Sequence, residues 1–269
     1  MRADKASSTA ALIAASTVFL SRDPALADFV PAGAAEICAR CLTKRQLLAT
    51  RVRWLCWSAE RATIPGLMLH FMLRKRWIEQ ALRGAIMRGC RRVVVIGAGY
   101  DTLAARLAPV FPAVRFMEVD HPATQAVKRA AVPASANLEF IAADLARVPL
   151  GRVLSASREP SVYLAEGLLM YLAATDVDAL FAALDGEIIF TTMEPAPGGR
   201  IAFHNATWLE RALLGLWQEP FTWGLARTAL GDFLAARGLR LREYADLAQA
   251  NPELLLARGE LVVHATRVA

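Results

Sequence analysis

Apolar residues recur at helical spacing from Ser8 to about Gly89, interleaved with arginines and without a β-branched cluster, so this stretch predicts helices alone. At Arg91 the texture changes to short β-rich runs separated by helical stretches, the pattern of a parallel sheet built by crossover units. The runs are Arg92 to Ile96, Val114 to Val119, Leu138 to Ile141, Ser161 to Ala165 and Glu187 to Thr192, with a helix over Asp101 to Val110 between the first two. A helical insertion near 200–231 follows. Two closing runs, Leu239 to Tyr244 and Leu261 to Thr266, suit a terminal antiparallel hairpin on a seven-stranded, mostly parallel sheet. The chain is therefore expected to be α/β, with an N-terminal helical cap or lid over 1–90 and a sheet domain over 91–269.

The first apolar stretch, Thr9 to Leu20, follows Arg2 and Lys5, and Ala25-Leu26-Ala27 imitates a signal-peptidase site. Asp4 weakens the positive leader, Ser16 and Thr17 interrupt the stretch, and Ser21-Arg22-Asp23-Pro24 reads as a helix stop and turn, so a native first helix is expected. No segment offers about twenty uninterrupted apolar residues, so neither a span nor a membrane partner is expected, and the location is read as cytoplasmic.

Composition narrows the class. Hydrophobic residues at 55% against 21% charged exclude a disordered chain. The net charge of +6 is spread along the sequence; Arg40 to Arg53 and Arg74 to Arg76 are spaced like solvated helix faces, and an anionic small substrate fits the excess better than nucleic acid. Cys38, Cys41, Cys56 and Cys90 include a Cys-x-x-Cys without a second pair, and only His70 lies nearby, so no metal is expected.

The chemistry gathers at strand ends, where ligands of open α/β sheets bind. Gly97 and Gly99 after the first strand allow a tight turn and close backbone approach. Thr102 stands where a dinucleotide fingerprint needs a third glycine, and Asp101 would repel a pyrophosphate but not a cationic sulfonium. Asp120 ends the second strand, placed to accept from two ribose hydroxyls. Asp144 past the third suits an adenine amino group, and Glu166 past the fourth faces a sulfonium and amino-acid end.

Val95 to Thr102, Phe116 to Pro122, Ala143-Asp144-Leu145 and Ala165 to Leu172 together resemble the leucine carboxyl methyltransferase family, particularly its bacterial branch of class I S-adenosylmethionine-dependent O-methyltransferases. The likeness extends to Leu73 to Glu79 and to Glu219 to Gly224. It implies a Rossmann-like fold and S-adenosyl-L-methionine as cofactor, with S-adenosyl-L-homocysteine as product. Carried onto this chain, it implies Arg74 on the cofactor carboxylate and Gly97, Ala98, Gly99 and Asp101 in the cofactor loop. It further implies Glu118, Asp120 and His121 at the nucleoside edge, Asp144 with Leu145 at the adenine, and Glu166 near the methionine portion. Two departures are Leu103, where the branch often has arginine, and Glu79 in place of an aspartate.

Methyl transfer requires alignment and exclusion of water. An ionised carboxylate needs no base, whereas a phenol near pKa 10 benefits from one. Substrate-side candidates are Tyr171, Glu194, Arg200, His204, Asn205 and Trp208, with His204 the imidazole base candidate and Tyr171 beside it as a catalytic candidate. Trp208, Trp217 and Trp223 are candidates for an apolar pocket; His70 belongs to the cap and His264 to the last strand. The expected activity is O-methylation of a carboxylate or hydroxyl on a small metabolite, polyketide-type natural products being implied by the resemblance. The alternatives are an NAD(P)-dependent oxidoreductase and a non-catalytic partner protein in a biosynthetic pathway.

Overall fold

The computed structural model describes residues 7–155, 157–209 and 220–268. Among the described residues five α-helices precede the sheet: α1 (Ser8–Leu20), α2 (Ala34–Cys41), α3 (Lys44–Ala49), α4 (Arg53–Thr63) and α5 (Leu67–Met87). The Ser7 hydroxyl accepts from Ala10 N and starts α1, and Thr43 with Gln46 forms a reciprocal capping box on α3. Gly66 starts α5 in the left-handed region at φ 81°; a Cβ there would lie 2.3 Å from Leu255 O, so only glycine fits this crossing.

The strands are β1 (Arg92–Ile96), β2 (Arg115–Asp120), β3 (Leu138–Ala142), β4 (Ser161–Ala165), β5 (Glu187–Met193), β6 (Leu239–Asp246) and β7 (Glu260–Arg267). They form one seven-stranded sheet in the order β3-β2-β1-β4-β5-β7-β6, parallel except for β7 against both its neighbours. All residues of β1 and β4 are buried, which is why these strands read as continuous apolar runs without alternation. Val93 and Val95 face Ile78, Leu82 and Ile86 of α5, while Val94 and Ile96 face the opposite layer of Leu169, Leu180 and Leu230. Helices therefore cover both faces, and the crossovers are α6 (Leu103–Leu107), α7 (Pro122–Ala131), α8 (Leu150–Val153) and α9 (Ala174–Ala182).

In the insertion near 200–231, residues 200–207 form bends and turns with an isolated bridge from Pro195 to Ile201, helix is present at 208–209, 220–226 carry no helix, and α10 runs from Leu230 to Ala235. Thr222 N instead donates to Met170 O at 2.7 Å, so tertiary contacts fix this segment. The part of the insertion over 210–219, including Trp217, lies outside the described residues. Among the described residues no helix is long and apolar enough to cross a membrane.

Candidate active site

β1 lies between β2 and β4, so the chain leaves in opposite directions at its carboxyl end and opens a crevice there. Gly97 and Gly99 take φ values of 66° and 49° at that end. A Cβ on Gly97 would come 2.9 Å from Leu168 Cδ1, and one on Gly99 would come 3.2 Å from Ala10 Cβ. The loop is thus pinched between the β4 exit and α1. Gly97, Gly99, Asp101, Asp120, Asp144 and Glu166 all keep partial solvent access, while β1 and β4 behind the glycine loop and Glu166 are buried throughout.

Asp120 Oδ2 accepts from Gly99 N and Oδ1 from His121 N, each at 2.5 Å. Burial pushes this carboxyl up, and the two backbone donors oppose that push. His121 Nδ1 accepts from Ala123 N at 3.3 Å, which uses the ring to start α7. Asp144 Oδ1 accepts from Ala146 N at 3.1 Å in the turn after β3, with Leu145 packed against the sheet.

A buried ionic cluster fills the space between α5 and the strand ends. Arg74 donates to Glu166 Oε1 and Glu260 Oε1, both at 2.9 Å, and His70 Nε2 meets Glu260 Oε2 at 2.7 Å. Lys75 reaches Asp101 at 2.6 Å and Glu166 at 3.2 Å. Burial alone would raise Glu260, but Arg74 and His70 outweigh it and hold the carboxyl at about 2. Burial likewise opposes ionisation of Asp101, yet Lys75 and then Lys128 hold it well below the usual carboxylate range. Arg74 and Lys75 face three carboxylates, Asp101, Glu166 and Glu260, so the cluster carries one negative charge in excess, leaving His70 aside.

Several expectations change here. Arg74 and Lys75 are not on a solvated face: they are 2% and 7% exposed, and only Arg76 of that run points to water. Glu118 is fully enclosed and paired with the equally enclosed Lys128 at 2.5 Å, and Lys128 Nζ donates to Ala98 O at 3.5 Å. Burial pushes the Glu118 carboxyl up to about 7. Its carboxylate lies beneath the glycine loop, enclosed against Lys128 of α7.

The substrate-side candidates separate. Tyr171 lines an apolar cleft beside the cluster, edge-on to Phe221 at 5.4 Å, together with Ile13, Leu67, Phe71, Met170 and Phe203; Arg74 and Gly167 form its charged end. His204 is not in this cleft. It is exposed, its Nε2 sits 3.0 Å from Glu194 O, and its ring covers Gly259. Glu194 pairs with Arg227 at 3.0 Å, Arg200 is exposed, and Asn205 ties loops together by donating to Pro65 O at 2.9 Å. Trp208 is 72% exposed and Trp223 packs on Phe233, so neither lines the cleft. His264 is buried against Glu187. A second groove, between α5 and β6 with Arg88, Arg240 and Arg242 on its walls, opens at the amino ends of the parallel strands, away from the crevice. Among the described residues no group of three or more His, Cys, Asp or Glu side chains is arranged to hold a metal.

The sequence reading missed Lys75, His70 and Glu260. A signal existed for the first: Phe71, Lys75, Ile78 and Leu82 recur at helical spacing, as does Arg74 with Ile78, which places both cations on the buried face of α5.

The model of the family described as leucine carboxyl methyltransferase matches residues 5–185, more than half of the chain. A protein of Parafrankia sp. (strain EAN1pec), provisionally named an S-adenosyl-L-methionine-dependent methyltransferase, is 30% identical over 153 residues, covering 54% of this chain and 47% of its own. A Mycobacterium bovis protein with the same provisional name is 35% identical over 200 residues, covering 61% and 65%. The chain thus spans about half the length of the first and under two thirds of the second. An S-adenosylmethionine-dependent methyltransferase from Mesorhizobium loti superposes with a TM-score of 0.51 at 23% identity, over 70% of this chain and 96% of that one. An O-methyltransferase family protein from Burkholderia thailandensis gives 0.52 at 13%, over 96% and 72%. These likenesses show the class I methyltransferase fold.

Proposed function

The chain belongs to the leucine carboxyl methyltransferase family, and from that premise we propose that it is an S-adenosyl-L-methionine-dependent O-methyltransferase acting on a carboxylate or hydroxyl of a small apolar metabolite, natural-product intermediates being the favoured class. The observation that carries the reading is the cluster's excess negative charge beside a glycine loop free of Cβ atoms. A pyrophosphate would meet Asp101, Glu166 and Asp120 and be repelled, whereas a sulfonium is drawn in.

The residues present fit the cofactor. Asp120 would hold the ribose hydroxyls through its remaining lone pairs, Asp144 and Leu145 the adenine, Glu166 the ammonium, and Arg74 the carboxylate through the second N–H of Nη2, which lies beside Gly167 and also meets Glu166 Oε1 at 2.9 Å. When bound, S-adenosylmethionine supplies an electrophilic methyl group on sulfur. Gly97 and Gly99 let the backbone lie close to it, and α1 covers the loop through Ala10, which limits water at the reacting pair. Tyr171 and Phe221 orient the acceptor in the apolar cleft, so the chain acts chiefly by alignment. His204 lies outside that cleft, which favours an acceptor that is already ionised or an acidic hydroxyl.

Incubation with methyl-labelled cofactor and panels of carboxylic acids and phenols, read by mass spectrometry, tests the transfer. A melting rise with S-adenosylhomocysteine and none with NAD(H) is expected; the reverse pattern would overturn the reading.

A further inference from the structure

α3 and α4 carry a surface that the cofactor site does not use. Residues 40–63 hold six cations, Arg40, Lys44, Arg45, Arg51, Arg53 and Arg61, against one acid, Glu60. Glu60 is buried and accepts from Met68 N at 2.9 Å. Arg53 is matched by Asp23; the other five cations are exposed and none is paired with an acid among the described residues. Between them project Leu48, 63% exposed, Trp54, 72% exposed, and Leu55. Trp208 joins the same region, because Thr207 N donates to Thr63 O at the end of α4. Trp54 and Trp208 are the exposed tryptophans among the described residues, and Thr63, Ile64 and the half-exposed Leu12 line the apolar cleft. The carboxyl end of α4 thus adjoins the cleft, with Trp208 beside it and Trp54 at the helix's other end.

Large apolar side chains framed by cations are the composition of a face lying in a lipid interface: the rings and leucines enter the headgroup boundary and the cations meet anionic lipid. A nucleic acid would satisfy the arginines but leave Leu48 and Leu55 in water. We propose that α3, α4 and Trp208 dock the protein on an anionic bilayer, setting the mouth of the cleft against the lipid. The docking stands without the methyltransferase reading; that the mouth admits a methyl acceptor rests on it.

The full chain is pelleted with vesicles of phosphatidylcholine alone or mixed with phosphatidylglycerol. Sedimentation with the mixed vesicles, weakened by salt, is expected. Arg51→Glu with Arg61→Glu should lower the partition at least about tenfold, and Trp54→Ser and Trp208→Ser should each lower it at low salt, while the melting rise with S-adenosylhomocysteine stays as in wild type. Wild-type protein remaining in the supernatant, variants that partition like wild type, or retention on DNA without vesicle binding would each overturn the docking. Vesicle binding as expected with no S-adenosylhomocysteine shift in wild type would uphold the docking while removing the cofactor reading.

Discussion

Replacing Glu260 by Gln tests whether the buried ionic cluster holds the site together. The Gln side chain keeps the shape and one acceptor for Arg74 or His70, but removes the charge that both face at 2.9 and 2.7 Å. Holding the carboxyl at about 2 instead of its ordinary 4.5 corresponds to about 3 kcal/mol in favour of the folded, ionised state. Both partners are essentially unexposed, so solvent screening takes little from this figure, and it falls within the cost of about 3–5 kcal/mol for breaking a buried pair. For a chain of this size, such a loss lowers the melting temperature by roughly 6–12 °C. The sign with pH follows from the depressed value: the contribution is complete above about 4.5 and is lost as pH falls toward 2. Urea unfolding of wild type and Glu260→Gln at pH 7, 5 and 3 should therefore give a gap that is constant over the first two and narrows at the third. A gap under about 1 kcal/mol at pH 7, or one that does not narrow, would refute the reasoning.

Gly66→Ala should cost about 2–3 kcal/mol in the same assay, because φ is 81° and the new Cβ would strike the Leu255 backbone, which cannot swing away; stability like wild type would show that the α5 crossing tolerates displacement. Asp120→Ala should weaken S-adenosylhomocysteine by about 1–3 kcal/mol in calorimetry, and unchanged affinity would remove it from the site. Burial pushes the thiols of Cys38 and Cys41 up to about 12 and 11, so at pH 8 neither is appreciably a thiolate and iodoacetamide should label them only after unfolding; rapid labelling of the native protein, read by mass spectrometry, would contradict their burial.

What the sequence reveals about this molecule depends on how local each determinant is. The parallel strands were legible because strands buried on both faces must be continuously apolar, and Val93 to Ile96 and Val162 to Ala165 could be little else. Asp120, Asp144 and Glu166 were legible as strand-end acids for a topological reason: carboxyl ends of parallel strands converge on one crevice whatever the helices do. Helical spacing does not reveal the helix-free run over 220–226, because Thr222 and Trp223 are fixed by Met170, 52 residues away for the Thr222 hydroxyl contact.

The ionic cluster shows the same limit at its sharpest. Arg74 and Lys75 are adjacent in sequence, and two neighbouring cations on a helix ordinarily point to water. What draws them inward is a set of acids contributed by three separate strand ends and loops, of which Glu260 stands 186 residues beyond Arg74. Neither cation is stable in the interior without its acids, and the acids without the cations would lose their charge, so burial is a property of the assembled set. The local pattern on α5 supplies half of that set, in the spacing of Phe71, Lys75 and Ile78; the other half exists only once β7 has come back antiparallel to β5 and placed Glu260 against His70 and Arg74. Closing the sheet and completing the candidate site are therefore one event, which is why Glu260→Gln should act on stability and on cofactor affinity together.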